Sequence, residues 1–113
     1  MNELQTSDTA RETSEQPTYF VVTMTTRFYS MAEVAELAPA QLREHVARSK
    51  ELHRSGALLM AGAFLDHPDQ PVTTMGILTS REQAEDFAHR DPFVVSGQVE
   101  SWEIRPWANI FAT

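Results

Sequence analysis

Two hydrophobic patterns of different period meet at Gly56, and their junction limits the folds open to this chain. From Pro39 to Gly56 the apolar residues recur at the spacing of an amphipathic helix, with Pro39 suited to its first turn and Gly56 to its end. Immediately afterwards Ala-Leu-Leu-Met-Ala-Gly-Ala-Phe-Leu, residues 57–65, is a continuous apolar run. It follows a helix stop and precedes Asp66-His67-Pro68-Asp69, a strong turn signal, so a strand fits it better than a second helix.

The flanking segments supply the remaining elements. Tyr19 to Phe28 is rich in β-branched and aromatic residues and reads as a first strand, with apolar groups on both faces near its start, the pattern of a strand covered on two sides. Tyr29 to Ala38 reads as a connection. Val72 to Thr79 supplies a third strand, joined to the second by a short loop as an antiparallel hairpin. Gly62 and Gly76 lie inside these two strands, where a glycine marks either a bulge or a close approach of ligand or backbone. Ser80 has the character of an N-cap with Gln83 three residues on, a capping box, and Ala84, Phe87 and Ala88 form that helix's apolar face. Asp91-Pro92 then suits the cap and first position of a short helical turn. Val99 to Trp107 alternates as a strand, with Trp102 and Ile104 toward the core and Ser101, Glu103 and Arg105 away from it. Glu103 and Arg105 are placed to pair across strands or across a subunit boundary.

The order β-α-β-β-α-β is a ferredoxin-like α+β plan, in which two helices cover one face of a four-stranded antiparallel sheet. The opposite face carries Val, Met and Leu residues with Trp107 near its end, too apolar to leave wet. It predicts a homodimer packed sheet against sheet.

Composition narrows the function classes. With 113 residues, 42% of them hydrophobic, the chain supports one compact domain and leaves no room for a separate cofactor-binding domain. Residues 1–17 carry four acids and one Arg with no apolar periodicity, which predicts a flexible acidic tail ahead of a folded domain over 18–113. No apolar run approaches the ~20 residues of a membrane span, and no basic-then-apolar leader opens the chain, so a cytoplasmic protein is expected. The absence of cysteine removes disulfides, thiolate metal sites and thiol nucleophiles. A net charge of −7, with nine cations scattered along the chain, argues against nucleic acid as a partner. There is no phosphate loop, dinucleotide fingerprint or GxSxG, so cofactor-free chemistry on a small-molecule substrate is the expectation.

Within the first helix one residue breaks the pattern. Stepping ~100° per residue from Leu42 puts Val46 at roughly 40°, Ser49 at about −20°, Leu52 at about −80° and His45 at about −60°. An ionisable ring thus occupies the apolar stripe, either as a core histidine with a satisfied hydrogen bond or as an acid or base lining a pocket under the helix. Asp91 has a similar double reading: an N-cap, or a carboxylate that also meets His45, orients the ring and favours its protonated form. Ser49, one turn beyond His45, could donate a hydrogen bond to a bound molecule, and backbone near Gly62 could approach it. No metal site is expected, because the eight-residue step from His45 to His53 separates them by about 12 Å along the axis. His67 and His89 read as loop and helix-surface residues.

Several of these residues also carry a resemblance. The run from Leu42-Arg-Glu-His45 through Arg48, Leu52, His53 and Gly56 to Leu58, Leu59, Ala61 and Gly62 resembles the His-containing helix, glycine stop and following strand of the YCII-related (YciI-like) family. Ala88-His-Arg-Asp91-Pro92-Phe93 to Gly97, then Glu100 and Arg105-Pro106-Trp107 to Phe111, is similar to that family's second motif and closing strand. Between about Tyr19 and Phe111 these motifs stand in one order at matching intervals. The chain departs from the short members in its acidic tail and in a longer stretch between the first strand and the helix, and such connections shape pocket mouths.

The resemblance implies a dimeric α/β barrel related in fold to muconolactone isomerase, with a His–Asp pair falling here on His45 and Asp91. It also implies lyase or isomerase chemistry on ring-derived acids and phenols. The expected reaction is proton abstraction and return on a small carbonyl-containing or phenolic metabolite, leading to elimination, dehydration, cyclisation or isomerisation, with Ser49, Gly62 and Phe93 contacting substrate. A binding or accessory protein of a biosynthetic pathway, using the same pocket without turnover, is the alternative. A purely structural dimerisation module is a third reading.

Overall fold

The computed structural model describes residues 17–66 and 69–111. The expected tail, all but Pro17 of it, and His67 lie outside the described residues. The elements run β1 (Thr18–Thr26), α1 (Met31–Leu37), α2 (Pro39–Arg54), β2 (Leu58–Ala63), β3 (Thr73–Leu78), α3 (Arg81–His89), α4 (Pro92–Val95) and β4 (Val99–Ala108). All strand pairings are antiparallel and the sheet order is β2-β3-β1-β4, with the first and last strands of the chain paired beside each other as the ferredoxin-like plan requires. The Pro17 carbonyl accepts the Asn109 N–H at 3.0 Å, so the ladder continues just past both strand ends.

The main departure from the sequence reading is α1. Residues 29–38 are not a plain connection: Ser30 Oγ accepts the Glu33 N–H at 3.0 Å, and the Glu33 carboxylate accepts the Tyr29 N–H at 2.6 Å. This reciprocal capping starts a helix of seven residues that buries Val34. The other helices begin and end on the expected signals. Pro39 occupies the first turn of α2, and Gly56 takes φ +89°, a left-handed conformation that glycine accepts without penalty. Ser80 caps α3 through the Gln83 N–H at 3.1 Å.

Pleating sorts β1 into two faces. Val22, Met24 and Thr26 are buried beneath the helices, while Tyr19, Val21, Thr23 and Thr25 on the opposite face are half-buried, so this strand is covered on one side only in the single chain. The main core joins Val22, Met24, Leu58 and Leu78 of the sheet to Ala84, Phe87 and Ala88 of α3, with Trp102 and Ile104 packed at its edge. A second cluster, Phe28, Val34, Ala38 and Phe93, lies where α1 meets α4. Each large side chain sealed in this way contributes roughly 1.5–3 kcal/mol. The two strand glycines differ in kind. A Cβ on Gly76 would stand 3.4 Å from both Leu58 and Phe87, whereas one on Gly62 would meet nothing within 4 Å, so close packing explains only the former.

Candidate active site

Helix α2 is held at a distance from the sheet. None of its sixteen residues is fully buried. Leu42 and Leu52 reach the second and main cores respectively, and between them the helix roofs an open cavity of about 880 Å³ over the β1–β3–β2 part of the sheet. Two polar anchors fix its height. Arg48 donates to the Asp86 carbonyl at 2.8 Å, the Asp86 carboxylate at 3.0 Å and the Phe87 carbonyl at 3.3 Å, all near the C-terminal end of α3. His53 Nδ1 donates to the Leu58 carbonyl at 2.8 Å. The Asp86 carbonyl also accepts the Arg90 N–H at 3.1 Å, so the guanidinium takes up its second lone pair.

His45 lies about one turn ahead of the first of these anchors. Its Nδ1 is 2.5 Å from Asp91 Oδ1, and the second carboxylate oxygen of Asp91 accepts the Phe93 N–H at 2.9 Å. Asp91 therefore fulfils both readings of its sequence position at once, capping α4 with one oxygen and meeting the imidazole with the other. Its side chain is 1% exposed against 27% for His45, so the carboxylate is sealed behind the ring and the ring borders the cavity. A carboxylate only accepts, which assigns the proton to Nδ1 and leaves Nε2 as the nitrogen with a free lone pair. Nε2 has no hydrogen-bond partner among the described residues. The Phe93 ring packs 5.3 Å from the imidazole and 6.0 Å from Phe28, joining the pair to the second core.

Ser49, Gly62 and Phe93 all line the same cavity as His45 and Asp91. Gly62 stands on an exposed stretch of edge strand, with room around it for a ligand. Sequence reasoning passed over the wall residues Met31 and Val34 from α1 and Lys50 and Arg54 toward the far end of α2, weighed His53 only as a metal ligand, and missed Arg48 as an anchor outside the cavity lining. Arg48, three residues after His45, carried the relevant signal. At that spacing it shares a helix face with the imidazole. The expected pairing of Glu103 and Arg105 across strands is not formed, since neither makes an ion pair among the described residues. His89 is exposed at the end of α3, against the Trp102 ring and Glu85. No described helix is long and apolar enough to cross a membrane.

A sheet in this order, with helices on one face and a cavity between the layers, defines a ferredoxin-like α+β fold. The chain belongs to the YCII-related domain family, whose model matches residues 18–108. No curated protein matches it in sequence. Among solved structures it is similar to 5-chloro-2-hydroxyhydroquinone dehydrochlorinase from Burkholderia phenoliruptrix AC1100, in complex with 2,5-dihydroxybenzoquinone. That likeness has 16% identity and a TM-score of 0.57 and covers 79% of this chain and 92% of the other. It is also similar to hydroxynitrile lyase from Passiflora edulis, at 9% identity and a TM-score of 0.46 over 87% and 98% of the two chains. At 16% identity the likeness to the dehydrochlorinase is one of fold.

Proposed function

We propose that this protein is a cofactor-independent enzyme of the lyase or isomerase type. His45 takes a proton from a small carbonyl-containing or phenolic metabolite and returns it elsewhere, so that elimination, dehydration, cyclisation or isomerisation follows. The observation that carries this reading is the asymmetry of the His45–Asp91 pair. One ring nitrogen is tied to a carboxylate that is 1% exposed, and the ring itself borders a cavity large enough for a metabolite. In such a pair the carboxylate fixes the tautomer, aims Nε2 and stabilises the imidazolium formed when the proton is taken. Asp91 is then a positioning residue, and Ser49, Gly62 and Phe93 shape the space in which the substrate lies.

The site is proposed to function within a homodimer, with the half-buried apolar face of Val21 and Met75 packed against its copy. A subunit interface there would stiffen the sheet floor of the cavity.

Proton abstraction is measurable without knowing the natural substrate. In deuterium oxide, a panel of hydroxyquinones, phenols and β-keto acids is followed by NMR for deuterium uptake at carbon. We expect uptake with at least one panel member, reduced about 10²- to 10⁴-fold in His45→Ala while affinity for that compound holds within about threefold. Uptake indifferent to His45→Ala sinks the catalytic assignment. Binding of panel members with no uptake favours an accessory protein that holds a metabolite in the same cavity.

A further inference from the structure

The walls of the cavity are mostly apolar, and the charged groups among them are unevenly placed. At one end of the α2 wall Asp91, the only lining carboxylate among the described residues, is already engaged by His45 and the Phe93 N–H. At the other end Lys50, His53 and Arg54 border the same space. Arg54 is paired with Glu51, and His53 donates its Nδ1–H to the Leu58 carbonyl. Lys50 forms no ion pair or hydrogen bond among the described residues. In a chain of net charge −7, whose overall field repels anions, a local surplus of positive charge at the mouth of an apolar cavity is a selective feature.

From these positions we propose that the cavity takes an elongated, largely apolar molecule bearing one carboxylate, with the carboxylate held by Lys50 and the reacting end presented to His45. The proposal rests on the reading of His45 as the reacting end and adds the substrate class. Helix geometry sets the length. Lys50 and Arg54 lie five and nine residues beyond His45, about 8 and 13 Å along the axis, so the two ends of the molecule are separated by roughly the span of two fused rings. The cavity volume, about 880 Å³, is likewise that of a site for a molecule larger than a single-ring phenol. Arg54 would flank the carboxylate, and Met31 and Val34 of α1 would close over the ring system.

The test uses 6-hydroxy-2-naphthoate, fluorescent and of the proposed length with a phenol at one end, and its neutral counterpart 6-hydroxy-2-naphthamide. Each is titrated into the full-length protein and into Lys50→Gln, Lys50→Arg and His45→Ala variants. The acid should bind about tenfold more tightly than the amide in the wild type, a preference that high salt weakens. Lys50→Gln should lower that ratio about fivefold and Lys50→Arg should restore most of it, as expected for an exposed charge contact. His45→Ala should leave the ratio unchanged. Equal affinities for the two probes, a ratio unmoved by Lys50→Gln, or binding of neither probe overturns the proposal. Because selectivity is read without turnover, a protein that prefers the acid yet abstracts no proton refutes the catalytic reading alone. A catalytically active protein indifferent to the carboxylate refutes this one alone.

Discussion

Asp91 shows how much one side chain can hold together. It is buried, it caps α4 and it contacts the imidazole of His45, so removing it subtracts a structural bond and a functional one together. The two roles separate on substitution. Asp91→Ala loses the cap and leaves buried donors unpaired, which should cost about 2 kcal/mol in urea denaturation. Asp91→Asn keeps an oxygen for the Phe93 N–H and should cost less than half as much. Its amide can donate as well as accept, however, so long-range ¹H–¹⁵N spectra should show His45 passing from a single Nδ1–H form to a mixture of tautomers. An unchanged tautomer in Asp91→Asn would mean that the carboxylate does not orient the ring. The cap was legible in the sequence because Asp-Pro is a local signal. The contact with His45 spans 46 residues, and the periodicity that put His45 in the apolar stripe could not say which group it would meet.

Among the elements, α2 depends on its anchors more than on its packing. A helix with no fully buried residue gains little from apolar burial, so the Arg48 bonds to the end of α3 fix both its height over the sheet and the approach of His45 to Asp91. Arg48→Met keeps the length of the side chain and part of its contact with the Phe87 ring but removes the donors. We expect a loss of about 1 kcal/mol in stability, moderated by partial exposure, together with a His45 tautomer mixture like that of Asp91→Asn. A stability loss with an unchanged ring spectrum would show that Arg48 is structural only. Helix α1 was hidden for a physical reason: seven residues with one buried side chain, Val34, are too few for a periodicity to emerge. Its capping signal, Ser30 followed three residues later by Glu33, was nonetheless present in the chain.

For the whole molecule, the outstanding feature is the sheet face turned away from the helices. Val21 stands there between Ile77 and Arg105 on its neighbouring strands, and it is half-buried in a single chain. Sedimentation equilibrium should give twice the chain's mass for the wild type and the single mass for a folded Val21→Lys variant, since the added ammonium would stand beside the like charge of Arg105 and be pressed against the copy. A monomeric wild type would remove the dimer from the proposal. The sequence by itself determined the strands, the two larger helices, their order and hence the ferredoxin-like topology, because strand and helix periods, caps and glycine stops act over a few residues. The tertiary structure alone decided how far α2 stands from the sheet and that α1 and the far end of α2 help to wall the space beneath it, while the approach of Asp91 to His45, expected through the family resemblance, took its geometry there. Those outcomes depend on bonds between residues distant in the chain, and no local pattern records such distances.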